Sequence, residues 1–375
     1  MQKIPGIFRN ALSSLQLQLT EKLSPGKRKE MLFPSRDNHP AGHPRLHSRR
    51  EIIKSLAAAP VIGFLFWDMA KKSAGWKSYE EENLSDVAGV KVNGNDERLR
   101  NLEGQVPKGN IKGLEASRMM MGGNLLAGFA HSRDLVYVSE LLKQYHTDEK
   151  VIETLFLGEE CGINTAVLRV DDQTVRILEK YRKRGGKIKW FGQYYPSPED
   201  FDNLNYAIDN GADAVFAQGV RSDYYVEHDR LEVLQRSLEH ARDQGIPSGI
   251  GAHLLSVPKA CEREGLDPDF YMKTLHHYRY WSAPPEGDRD AIGPSIWSPE
   301  TRETVEFMKK VNKPWIAFKV LAAGSILPRD GLRFAYENGA DFTCVGMFDF
   351  QVVENSNITY QLFQDEIPRE RPWMG

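Results

Sequence analysis

The chain is short of cysteine, of unbalanced charge and of long apolar runs, and each shortage removes a class of protein. Three cysteines in 375 residues, Cys161, Cys261 and Cys344, stand far apart with no CxxC spacing. Neither a disulfide framework nor a cysteine-rich zinc site is encoded by that spacing. Their surroundings read as a helix end, a helix and a strand, which predicts small buried hydrophobes. A net charge of -3 with 27% charged residues leaves no basic excess, so no nucleic-acid partner is expected. HExxH and GxGxxG are absent. His253, His276 and His277 have no carboxylate cluster beside them, and no metal site is expected.

No apolar run is long enough for an ordinary membrane-spanning helix. Residues 1–47 are polar, rich in proline and basic side chains, and read as a disordered leader. In 48–70, Arg49, Arg50 and Lys54 precede an uncharged stretch from Ser55 to Trp67. Ser48-Arg49-Arg50-Glu51-Ile52-Ile53-Lys54 resembles a twin-arginine export signal, and the apolar stretch has the length of a signal-peptide core. That resemblance implies the twin-arginine export machinery as a partner and a periplasmic or envelope location. An N-terminal anchor or buried helix is the alternative, with a cytoplasmic protein. Residues 71–113 read as a linker.

From Leu114 onward, short apolar runs alternate with amphipathic stretches, the pattern of parallel strands covered by helices. Eight strands are expected: ASRMMMGGN, INTAVLRV, IKWFGQYY, AVFAQGV, SGIGAHL, FYMKTLHH, WIAFKVLAAG and FTCVGMFD. Two joints, IDNGADAVFA and YENGADFTCV, repeat a glycine where a helix needs a left-handed cap. The fold class predicted is α/β, a (β/α)8 TIM barrel over 114–365, with 366–375 as a tail.

The active site of such a barrel forms at the carboxyl ends of its strands. The polar residues delivered there are Asn124, Arg169, Gln193, Tyr194, Gln218, Arg221, His253, Lys273, His276, Lys319 and Asp349, with Trp281 in a loop above. Lys319 and Lys273 lie within strands, and a lysine is rarely buried without a partner. If both enter the barrel, mutual repulsion can strip one of its proton and make it a base or an imine-forming amine. If each pairs with a carboxylate such as Asp349, they only prop the rim. By alternation Lys273 shares a face with Tyr271 and Leu275, and Lys319 with Ala317 and Leu321.

In motif order the chain resembles the aldo/keto reductase superfamily across roughly Leu114 to Asn357. GLEASRMMMGGN resembles that family's entry turn and first strand, and EECGINTA the approach to its second. WIAFKVLAAG looks like the seventh strand, which touches the nicotinamide cofactor's phosphates. VGMFDFQVVEN resembles the eighth strand and helix start, which bind the adenosine end. The resemblance implies an eight-stranded barrel of carbonyl-reducing ancestry and makes NADP the cofactor to test. The family's catalytic aspartate, tyrosine, lysine and histidine have no counterpart at the matching places, where Gln193 and Gln218 stand for the lysine and histidine. Lys319 replaces a small polar residue of the seventh strand.

The function expected is therefore a reductase-like barrel with a non-standard polar site, acting on a small carbonyl or carbohydrate compound. Lys319, Lys273, His253 and His276 are the expected catalytic groups, and the remaining rim residues bind substrate. The alternative is a non-catalytic carbohydrate-binding or scaffold barrel.

Overall fold

Eight short strands close on one another. In the computed structural model, which describes residues 98–132, 135–283 and 298–375, they follow the order β10-β3-β4-β5-β6-β7-β8-β9. They are β3 (Met119–Gly122), β4 (Thr165–Arg169), β5 (Lys189–Tyr194), β6 (Ala214–Ala217), β7 (Ser248–Ala252), β8 (Phe270–Thr274), β9 (Trp315–Phe318) and β10 (Phe342–Val345). Every neighbouring pair is parallel. This is the (β/α)8 barrel expected, and each strand falls inside its predicted run. All these residues belong to the compact unit Glu80–Gly375. The leader, the twin-arginine-type segment and most of the loop from Tyr278 to Trp297 lie outside the described residues.

Strand alternation builds two apolar layers. Met120, Val167, Phe191, Phe216, Phe270 and Ile316 fill the barrel interior. Residues of opposite parity, among them Trp190, Tyr194, Ile250, Tyr271 and Trp315, pack outward under the helices. Around the sheet run α1 (Gly123–Leu126), α2 (Tyr137–Tyr145), α3 (Asp148–Glu160), α4 (Asp172–Lys183), α5 (Asp202–Asp209) and α6 (Gly219–Glu227). They continue as α7 (Leu231–Asp243), α8 (Ser256–Glu264), α9 (Thr301–Met308), α10 (Pro328–Glu337) and α11 (Asp349–Leu362). Side-chain caps start α3 and α4, where Thr147 and Asp171 accept the Lys150 and Thr174 amides.

The repeated NGAD joints have a definite job. Gly211 and Gly339 take φ of 77° and 98°, conformations that cost a glycine little. The aspartates behind them then accept main-chain N–H groups from neighbouring strands, Asp213 from Trp190 at 2.8 Å and Asp341 from Trp315 at 2.9 Å. Asp269 does the same for Ser248.

The segment expected as a linker contains structure from Arg98 onward. β1 (Lys108–Ile111) and β2 (Leu114–Ser117) form an antiparallel hairpin. Its two-residue turn, Lys112-Gly113, has φ positive at both positions, the geometry that suits a tight hairpin. Ile111 and Ala116 join the inner apolar layer and floor the barrel at its amino end. The tail is fastened there too. Arg371 is buried, with Asp341 at 2.5 Å and the carbonyls of Met308, Gly339, Val311 and Lys313 around it. Arg118 reaches from the start of β3 to the Asp341 and Gly375 carbonyls.

Candidate active site

β7 is Ser-Gly-Ile-Gly-Ala, and Gly251 within it lets the start of α6 come close. At the carboxyl end, the His253 ring packs against Gly219, where a methyl group would lie 3.0 Å from Cε1. On its other side it meets the Phe318 ring, 5.3 Å between centroids. α6 begins immediately after β6, so Asp223 is brought one helical turn above the sheet beside His253. Its carboxylate accepts Nδ1–H of His253 at 2.8 Å, the His253 amide at 3.0 Å and the Leu254 amide at 3.0 Å. A carboxylate only accepts, so Nδ1 carries the proton and the neutral ring keeps its lone pair on Nε2.

Burial pushes the His253 pKa below its ordinary value, against the Asp223 hydrogen bond, and the Lys319 and Lys273 charges push the same way. The ring therefore stays neutral at pH 7. Burial also holds Lys319 well below the usual ammonium range, opposed by Asp223. His131, in the loop after α1, is lowered by burial and by the charges of Lys319 and His253. Asp223 and His253 are thus in direct contact at the rim, and the charges of Lys319 and His131 bear on the site.

The two strand lysines part company. Lys273 pairs in register with Ala252 and Ala317, both in the outer layer, so it leaves the sheet on the helix side. It is 1% exposed. Its Nζ donates to the His253 carbonyl at 2.8 Å, Thr274 Oγ1 at 2.8 Å and the Thr274 carbonyl at 3.2 Å. Burial lowers its pKa to about 8, against the charges of Asp223 and Glu300. The expectation that both amines enter the barrel is corrected for Lys273. At Lys319 the strand has ended, and φ of 58° breaks the alternation that would have sent the side chain outward.

Of the other expected residues, Arg169 and Gln193 are register partners on the inward face of β4 and β5. The Arg169 guanidinium lies 3.2 Å from Asp171 and 3.6 Å over the Phe129 ring. Gln218 is half-buried between β6 and α6, while Asn124 and Arg221 are exposed at the carboxyl end. Trp281 is 77% exposed. His276 is buried, with Nδ1 on the His277 carbonyl and Nε2 without a hydrogen-bond partner. Burial drives its pKa to about 4.

Two of the expected residues lie away from the barrel interior. Tyr194 is 1% exposed in the outer layer, because its parity is opposite to that of Gln193, and it cannot touch a ligand in the barrel. Asp349 is not the partner of either lysine. It is held between α11 and α3 by Arg98 at 2.7 Å, Tyr145 at 2.6 Å and Lys150 at 3.3 Å. Asp223 was not singled out from the sequence. Its only signal there is its place one turn past a strand end; the structure buries it beside Ser222 and Tyr225.

The start of α11 is where the resemblance puts a nucleotide's adenosine end. The cations beside it, Arg98 and Lys150, are engaged by Asp349 and Glu153. Among the described residues no group of His, Cys, Asp and Glu could hold a metal ion, and no helix is long and apolar enough to cross a membrane.

No family model and no curated protein matches the chain. Among solved structures, a putative aldo-keto reductase from Pseudomonas aeruginosa superposes with a TM-score of 0.50 at 14% identity, over 70% of this chain and 98% of its own. An aldo/keto reductase from Brucella melitensis gives 0.42 at 12% identity, over 70% and 94%. A Xanthomonas albilineans dihydropteroate synthase gives 0.40 at 10% identity, over 70% and 99%. At that identity the first likeness concerns the fold alone, a (β/α)8 barrel.

Proposed function

We propose that the barrel is an enzyme that moves a proton on a small carbonyl or sugar-like compound, with His253 as the base. The observation that carries this is the Asp223–His253 pair at the carboxyl end of the barrel, with a neutral imidazole at pH 7. In the reaction, Nε2 of His253 takes a proton from the carbon beside the carbonyl. The electron pair moves to the carbonyl oxygen, and Lys319 stabilises the charge that develops there. Arg169 and Gln193 orient the rest of the molecule. The protonated imidazole then returns its proton to the former carbonyl carbon while the hydroxyl on the deprotonated carbon passes its proton to the oxyanion, so the product is an isomer and no hydride donor is needed. This reading requires none of the four reductase roles.

The test is deuterium wash-in, followed by NMR, with a panel of small sugars and keto acids in D2O. Exchange next to the carbonyl is expected with the wild type and about 100-fold less with His253→Gln. Binding without exchange on any compound would replace this reading with the carbohydrate-binding one, which the withdrawal of Lys273 behind the sheet favours. We propose export as well, on the Arg49-Arg50 pair ahead of its apolar stretch. A reporter fused to residues 1–70 should leave the cytoplasm, and Arg49→Lys with Arg50→Lys should keep it inside.

A further inference from the structure

We infer that Lys273 is a positioning residue for His253, acting through the peptide unit that joins His253 to Leu254 and not through contact with a ligand. The carbonyl of that unit accepts Lys273 Nζ at 2.8 Å, and its N–H, on Leu254, donates to Asp223 at 3.0 Å. One peptide group is thus held between a buried cation on β8 and a buried anion on α6, its dipole aligned with both. The same carboxylate fixes the His253 ring. Cation, peptide, anion and imidazole form one chain from behind the sheet to its rim.

A structural plug would not need this residue. An ammonium in such a place is costly to bury, and the His253 carbonyl already has a second donor in Thr274 Oγ1 at 3.1 Å. An apolar side chain at 273 would orphan no main-chain atom of His253. What lysine adds is three satisfied protons and a charge. Ala252 and Ala317, its register partners, give the side chain room to bend back to the His253 carbonyl. The charged groups bearing on His253 are Asp223 from α6, Lys273 from β8, Lys319 after β9 and His131 from the loop after α1. Among these, Asp223 holds the His253 amide and Lys273 the His253 carbonyl.

This role for Lys273 rests on His253 being the base proposed above, but its test needs no substrate, so the two can fail separately. Imidazole and amide resonances of the full chain are titrated by NMR in the wild type, Lys273→Met and Lys273→Arg. In Lys273→Met, His253 should titrate at higher pH than in the wild type and the Leu254 amide should move. Lys273→Arg, which keeps the charge, should restore the His253 titration toward the wild-type position. A folded Lys273→Met protein whose His253 titration matches the wild type overturns the inference. Should that variant not fold, the Lys319→Met protein gives the same decision with Lys273 intact. Its His253 and Leu254 amides must show an inflection at pH about 8, where Lys273 discharges. Their passing smoothly through that range overturns the inference as well.

Discussion

Among single residues, the buried histidines make the clearest demand on pH. His253, His276, His277 and His146 are each held below their ordinary pKa, and in each case burial is the largest cause. As pH falls past about 6.5 the unfolded chain takes up protons that the folded one refuses, so stability drops with falling pH. For His276 the window runs from about 6.5 to about 4, worth roughly 3 kcal/mol at about 1.4 kcal/mol per unit. Urea midpoints should fall between pH 7 and pH 4.5, and His276→Phe should flatten that slope. The histidines at strand ends were legible in the sequence, but their surroundings were not. Alternation put Lys273 with Tyr271 and Leu275 without revealing which face turned inward. Asp223, as an acid within a helix, reads like a solvent-facing residue until the packing of α6 on β7 is known.

At the level of elements, the site depends on how closely α6 approaches β7. A methyl group at Gly251 would lie 2.6 Å from the Ala217 carbonyl oxygen and 3.0 Å from the Gly219 nitrogen, both main-chain atoms that cannot step aside. Gly251→Ala should cost about 1–3 kcal/mol in urea unfolding. By forcing β7 and α6 apart, it should also weaken the His253–Asp223 bond, read from the Nδ1–H resonance. An unchanged resonance would mean that the pair does not depend on this approach. The strands themselves were legible because each is an apolar run bounded by polar turns, and the NGAD joints announced their left-handed glycines. The hairpin of β1 and β2 was missed because KGNI and LEAS carry too few apolar residues to stand out. They become strands by pairing with each other over the barrel floor.

At the scale of the whole molecule, one cluster of buried charge lies at the amino end of the barrel, where Asp341 gathers Arg369, Arg371 and the Met374 amide. Breaking a buried pair leaves an uncompensated charge, so Arg371→Met should cost about 3–5 kcal/mol in denaturant unfolding. The His253 titration should stay where it is, because the two sites lie at opposite ends of the strands. A composition-based reading could only call 366–375 a tail, since two arginines among prolines look solvent-exposed until the cavity they fill is seen. Effects at well-separated positions add nearly independently. The loops at the mouth can therefore be randomised wholesale against new compounds, on a foundation whose strength the library does not touch.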